Sequence, residues 1–190
     1  MVFTRGYLPH FDQGCSVQSV TLHLFDSLPK DALIRMERAL AIIPPEKQDL
    51  AQRRRIEELI DAGAGSCLLA QSEVAALVEK TLLYFDGKRF NLNAWSIMPN
   101  HLHFLATLLP NESLSKIMQS FKSYTAHEAN KLLGRSGPFW FRDYYDRFMR
   151  DYKHYQAILQ YIEYNPVKAG LCVEPRQWQF GSARRRSDKS

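Results

Sequence analysis

The pattern of the chain predicts a single α+β domain, an antiparallel sheet with helices packed on it. Three observations carry this. Short segments of alternating apolar and polar residues recur among longer stretches of helical period. Two of the alternating segments are joined by no more than a short turn, as in an antiparallel pair. With 190 residues, 45% hydrophobic and 24% charged, the chain has the size and make-up of one well-buried soluble domain.

The elements follow in order. A first strand is expected over Ser16–Phe25, where Val17, Val20, Leu22 and Leu24 lie among Thr, Ser and His, and Leu28-Pro29 closes it. Helical period runs from Lys30 to about Ile43 and stops at Pro44-Pro45. A second helix runs from Pro45 to Ala62, and Gly63 and Gly65 break the chain after it. Ser72-Glu73 caps a third helix, Ser72–Phe85. Residues 30–86 therefore form a helical insertion. The Asp86-Gly87 turn leads into a strand over Arg89–Met98, with Phe90, Leu92, Ala94 and Ser96 expected on one face. After Pro99-Asn100 comes the strand His101–Leu109. Ser113 caps a helix with the stripe Leu114, Ile117, Met118 and Phe121. Residues 134–150 read as irregular. A last helix runs from about Asp151 to Asn165 and is expected to end at Pro166. The domain is expected to close at residue 181, leaving 182–190 as a flexible basic tail.

Composition narrows the function. No apolar run approaches the ~20 residues of a membrane span, and the first ten residues lack a signal-peptide core, so a cytoplasmic location is expected. Cys15, Cys67 and Cys172 form no CxxC pair, which argues against a disulfide framework or a zinc finger. The net charge of +5 is unevenly placed. Residues 1–112 hold 11 Lys and Arg against 13 Asp and Glu, while residues 113–190 hold 14 against 7. A one-sided basic excess points to a polyanion, most commonly nucleic acid.

Residues i and i+2 of a strand share a face, so His101 and His103 present two imidazoles side by side while Leu102 and Phe104 turn into the core. Two neutral ring nitrogens on a rigid strand make a two-point ligand for a divalent ion and leave positions open for a third ligand and substrate oxygens. Taken alone, the pair better describes two surface or satisfied histidines. The absence of HExxH disfavours a zinc protease.

On the last helix, Tyr161 and Asn165 stack one turn apart on the flank of a buried stripe of Tyr155, Ile158, Leu159 and Ile162. A tyrosine with a pKa near ~10 is a poor nucleophile unless something polarises its target. A metal-bound phosphate meets that need, and the amide oxygen of Asn165 would tie the metal to the tyrosine. Between them, residues 137–150 mix aromatic rings with guanidinium groups, as a single-strand platform does. Trp140, Tyr144 and Tyr145 are the stacking candidates there, and Arg142, Arg147 and Arg150 the cations; Phe139, Trp140 and Phe148 equally suit a core. Lys116, Lys122 and Lys131 on the preceding helix and Arg184, Arg185 and Arg186 in the tail are candidate phosphate contacts.

These pieces, in this order, resemble the single-tyrosine HUH transposases (Transposase IS200-like), and most closely the REP-associated tyrosine transposases. The resemblance is carried by Arg5-Gly-Tyr-Leu-Pro-His10, Val20-Thr-Leu-His-Leu-Phe-Asp-Ser-Leu-Pro29 and Ala94-Trp-Ser-Ile-Met-Pro-Asn-His-Leu-His-Phe104. Gly137-Pro-Phe-Trp140, Asp143-Tyr-Tyr-Asp146, Tyr161-Ile-Glu-Tyr-Asn-Pro-Val-Lys-Ala-Gly-Leu171, Trp178 and Gly181-Ser-Ala183 continue it. It implies a ferredoxin-like antiparallel sheet with His101 and His103 on a central strand as metal ligands, Tyr161 as the nucleophile and Asn165 as the third ligand. It implies Mg²⁺ or Mn²⁺ dependence, a 5′-phosphotyrosine intermediate, and recognition of DNA hairpins with adjoining single-stranded DNA. Insertion-sequence relatives carry Gln where this chain has Asn165. The expected partner is DNA, with no membrane and no nucleotide cofactor, and a monomer is favoured over a homodimer. Two other classes stay open: a catalytically silent hairpin-binding module, and a metal-dependent hydrolase that uses water.

Overall fold

The computed structural model describes residues 2–5, 8–11 and 16–187. Its strands are β1 (Val2–Arg5), β2 (Leu8–Phe11), β3 (Val17–His23), β4 (Phe90–Ile97), β5 (His101–Leu108) and β6 (Tyr145–Phe148). Its helices are α1 (Lys30–Leu40), α2 (Pro45–Asp61), α3 (Ser72–Phe85), α4 (Leu114–Leu132), α5 (Tyr152–Lys168) and α6 (Ser182–Ser187). β1 and β2 form a separate two-stranded ribbon, and the main sheet has the order β4-β5-β3-β6 with every pair antiparallel. In chain order β3-α3-β4-β5-α4-β6 is a βαββαβ unit with the first and third strands central, the ferredoxin-like arrangement expected.

β5 is apolar on one side of its pleat and carries the histidines on the other. Leu102 and Phe104 point into the main core with Val78, Leu82, Ile117 and Phe121, so α3 and α4 cover that face. Leu105 points the opposite way and packs with Ala94, Met149 and Ile162 beneath α5. His101 and His103 share this second face.

Several elements depart from the sequence expectation. β4 shifts register between Leu92 and Ala94. That irregularity inverts the pleat: Phe90, Trp95 and Ile97 join the α3–α4 core, while Ala94 lies on the α5 face. The expected insertion over 30–86 divides in two. α1 and α2 build their own cluster of Leu28, Met36, Leu40, Ile56 and Ile60, whereas Val74, Val78 and Leu82 of α3 belong to the main core. Residues 134–150 contain an edge strand, β6. α5 does not end at Pro166 but continues to Lys168, with Ala169 N–H donating to the Asn165 carbonyl. So close to a helix end, proline removes one bond rather than breaking a helix interior.

The tail is also corrected in part. Ser182 is buried, accepting a hydrogen bond from Trp95 N–H at 3.1 Å and donating to Glu163 at 2.7 Å, and it starts α6. Residues 188–190 lie outside the described residues, as does Cys15; Cys67 and Cys172 are free thiols. Among the described residues no helix is long and apolar enough to cross a membrane.

Phe104 is fully buried against Phe90, with ring centroids 5.8 Å apart. Phe104→Ala is expected to cost about 3–5 kcal/mol in urea unfolding, whereas Val173→Thr at an 82% exposed position should stay within about 0.5 kcal/mol. Equal midpoints for the two variants would contradict the core assignment.

Candidate active site

The register of β3 against β5 sets the floor of the site, with Thr21 opposite His103 and His23 opposite His101. Both β5 histidines are buried, their ring centroids 4.5 Å apart. Each has its Nδ1 engaged, His103 with the Thr21 hydroxyl and His101 with Asn100 Oδ1, both at 2.7 Å. Their Nε2 atoms are buried and have no hydrogen-bond partner. Buried ring nitrogens left without a partner are costly unless something binds them.

Asp61, the last residue of α2, closes the site from above. Its Oδ1 lies 3.7 Å from His101 Nε2 and 3.8 Å from His103 Nε2, almost equidistant. Those distances are too long for hydrogen bonds, and burial holds the His101 imidazole well below its ordinary pKa, so it is neutral. The ligand atoms of Asp61, His101 and His103 all lie within 4.8 Å of one another, a spacing that suits the ligands of one metal ion.

α5 supplies the third wall. The Tyr161 ring sits edge-on to His103, centroids 5.4 Å apart, and its hydroxyl donates to Asp61 Oδ2 at 3.2 Å. One turn on, Asn165 is buried with its Oδ1 unpartnered and its Nδ2 3.5 Å from Asp61 Oδ1. Lys168, on the turn beyond Pro166, binds Asp61 Oδ2 at 2.9 Å. Imidazole, carboxylate and amide oxygen are a donor set that suits a hard or borderline divalent ion, and two buried imidazole nitrogens without a hydrogen-bond partner beside one carboxylate fit such an ion.

The charges explain the resting state. Burial would raise the Asp61 carboxyl, but His103 and Lys168 beside it outweigh that and hold it well below the usual carboxylate range. Burial and the negative charges of Asp61 and Glu57 push the Tyr161 phenol well above its ordinary value. Without added positive charge, Tyr161 is a neutral phenol.

A cleft of about 240 Å³ opens from His103 and Tyr161 between α2, β3, β6 and α5, with Glu57, Tyr145, Asp146 and Arg147 among its walls. Arg147 lies 3.6 Å from Glu57. Of the expected DNA contacts, the structure brings Tyr145 and Arg147 here. It withdraws others. Trp140 is buried with its Nε1 bonded to Thr125 at 2.8 Å, and Tyr144 is buried in the main core, so neither offers an open face for stacking. Lys122 spends its ammonium on the carbonyls of Phe141 and Arg142, and Arg186 holds Glu163 and the Asn93 carbonyl. Lys116, Lys131, Arg142, Arg150, Arg184 and Arg185 are exposed. The two lysines ride on α4, behind the sheet from the histidines.

Sequence reasoning missed Asp61, Lys168, Asn100 and Thr21. Asp61 lies 40 residues before His101, with no periodic signal linking them, and Lys168 fell beyond the expected helix end. Thr21 had a usable signal, because a strand expected beside the histidines must place same-face side chains against them.

The family description Transposase IS200 like matches residues 71–165, half of the chain. The REP-associated tyrosine transposase of Escherichia coli (strain K12) is 29% identical over 97 residues, 50% of this chain and 56% of that protein. A Haemophilus influenzae relative of the same designation is 28% identical over 106 residues, 50% of this chain and 60% of that protein. The chain thus spans little more than half the length of these relatives. A solved structure of the REP-associated tyrosine transposase bound to a REP hairpin covers 96% of this chain and 84% of its own, with a TM-score of 0.59 and 17% identity, a likeness of fold.

The buried histidines set a pH dependence. Burial lowers His23 from 6.5 to about 4, and His101 is lowered as well. The unfolded chain therefore takes up these protons before the folded one, and stability falls as pH drops from about 6.5 toward 4. Urea midpoints of the metal-free protein should decline across that window, less steeply in His23→Gln. A midpoint that holds constant between pH 6.5 and 4 would contradict neutral burial.

Proposed function

We propose that this chain, which belongs to the IS200-like transposase family, cuts and rejoins single-stranded DNA beside hairpins through a covalent 5′-phosphotyrosine on Tyr161, with Mg²⁺ or Mn²⁺ bound at His101, His103, Asp61 and Asn165. The observation that carries this is that the ligand atoms of Asp61, His101 and His103 gather within 4.8 Å of one another, both Nε2 atoms buried without a hydrogen-bond partner, while the Tyr161 hydroxyl sits on Asp61 Oδ2 at 3.2 Å. When bound, the cation supplies positive charge that polarises a phosphodiester and stabilises the oxygen that departs.

The chain's own residues do the rest. Tyr161 forms the new P–O bond as the bond from phosphorus to the DNA 3′-oxygen breaks. The phenol's proton leaves along its hydrogen bond to Asp61 Oδ2. That carboxylate is too weak a base to keep it, and the departing 3′-oxygen takes it up. Lys168, also on Oδ2, holds Asp61 in place and brings a cation to the site. Each cut exchanges one phosphoester for another, so rejoining needs no nucleotide cofactor. The cleft lined by Tyr145 and Arg147 receives the single strand, and the exposed Arg142, Arg150, Arg184 and Arg185 contact phosphates, with Lys116 and Lys131 reached by DNA that wraps the sheet edge. Tyr161 and the histidines meet within one chain, which supports a self-contained monomer.

A labelled hairpin oligonucleotide with a single-stranded flank, incubated with Mn²⁺, should yield a covalent protein–DNA adduct. The adduct should vanish in Tyr161→Phe, which keeps the ring against His103, and in His103→Ala. Binding without cleavage would instead mark a silent hairpin reader. Cleavage that survives Tyr161→Phe would mark a water-using hydrolase.

A further inference from the structure

One buried side chain joins the histidine strand to the end of the inserted helix. Asn100 is 1% exposed. Its Nδ2 donates to the carbonyls of Ile60 at 2.9 Å and Ala64 at 3.0 Å, the residues that bracket Asp61. Two carbonyl oxygens can be met only by the NH₂ end of the amide, so the orientation of Asn100 is settled and Oδ1 faces His101. An amide oxygen only accepts. His101 Nδ1, 2.7 Å away, must therefore carry the proton, leaving Nε2 with a bare lone pair directed at Asp61. The Asn100 main chain is itself pinned, since its carbonyl accepts from Leu24 N–H at 2.9 Å.

Building on the metal-site reading above, we propose that Asn100 is a positioning residue that presets the ion site: it locks His101 in the tautomer that offers Nε2 and clamps the end of α2 so that Asp61 hangs opposite. The two effects use different ends of one amide. Oδ1 selects the imidazole tautomer, and Nδ2 fixes the turn that carries the carboxylate. Outer partners of this kind orient a ligand and remove alternatives before the ion arrives. Here the same side chain orients two ligands from elements remote in sequence, so docking of the α1–α2 insertion and assembly of the site become one event.

The test is made on the full chain without DNA. ¹⁵N–¹H spectra of the metal-free wild type should show His101 protonated at Nδ1 and bare at Nε2; a mixed or opposite tautomer would overturn the proposal whatever the protein does with metal. Titration with Mn²⁺ alone, read by calorimetry, should show affinity about 10–100-fold weaker in Asn100→Ala, with mixed His101 tautomers. A folded Asn100→Ala protein with wild-type affinity and wild-type His101 signals would sink the idea. Asn100→Asp separates the two roles and decides the matter if the alanine variant does not fold. Its carboxylate still accepts from His101 Nδ1 but opposes the Ile60 and Ala64 carbonyls. The His101 signature should persist while amide hydrogen exchange over residues 61–66 accelerates. Unchanged exchange there would overturn the clamp, and loss of the signature would overturn the tautomer lock. Wild-type protein that shows the tautomer but binds no Mn²⁺ would overturn the metal reading while leaving the tautomer lock in place.

Discussion

The structure depends on β5 being a strand buried on both faces. One face of its pleat fills the core beneath α3 and α4 with Leu102 and Phe104. The other carries His101 and His103 under α2 and α5, where Leu105 packs against Ile162. Because the side-chain period is two, a one-residue slip of β5 would drive both imidazoles into hydrocarbon and both apolar side chains into the site. Register is thus held by the same burial that defines the chemistry. Double burial also keeps His101 neutral, so its ring nitrogen keeps a lone pair and does not become a cation.

Asp61 is where the opposing tendencies of the site meet. Two imidazoles and an amide bring no negative charge for a divalent ion. The carboxylate does, and in the structure it is held by Lys168 and by the Tyr161 hydroxyl. The group that would draw an ion in also raises the phenol's pKa. Positive charge placed between the histidines and Asp61 weakens that second effect, because a charge of opposite sign next to Asp61 offsets its field at Tyr161. The Tyr161 phenol is then held neutral without such a charge and would be eased toward its anionic form with one.

How much of this was legible in the sequence follows from the range of each signal. α3 was expected over the residues it occupies, because its cap and apolar period are local. The histidine face of β5 followed from alternation, and the Tyr161–Asn165 pair from helical spacing. What local rules missed involves a competing or distant term. The irregularity at Leu92–Ala94 inverts the face of Trp95, and alternation alone cannot announce it. Pro166 was read as a stop because its local penalty is real, yet it costs a single bond near the end of a helix that Ile162 anchors in a core. That one error hid Lys168. Trp140 and Tyr144 looked like a stacking platform because aromatic composition reads alike in a core and on a surface, and only burial separates them. Asp61 and Asn100 needed the tertiary fold, since the insertion that delivers one is clasped by the other.

The uneven charge of the chain acquires a structural meaning through this clasp. The N-terminal stretch, with its slight acidic excess, sends α2 across the site with Glu57 and Asp61. The basic C-terminal stretch brings Lys168 on α5 and Arg147 on β6 to meet them. The two halves therefore neutralise one another at the site itself, and the surplus cations are left to the outside, where Arg142, Arg150, Arg184 and Arg185 are exposed. A polyanion approaching this surface meets net positive charge at long range and a nearly balanced site at short range. Long-range attraction gathers any nucleic acid and falls with salt. Selection then rests with the nearly balanced site, which no longer attracts by net charge and discriminates by shape and by the groups that line it.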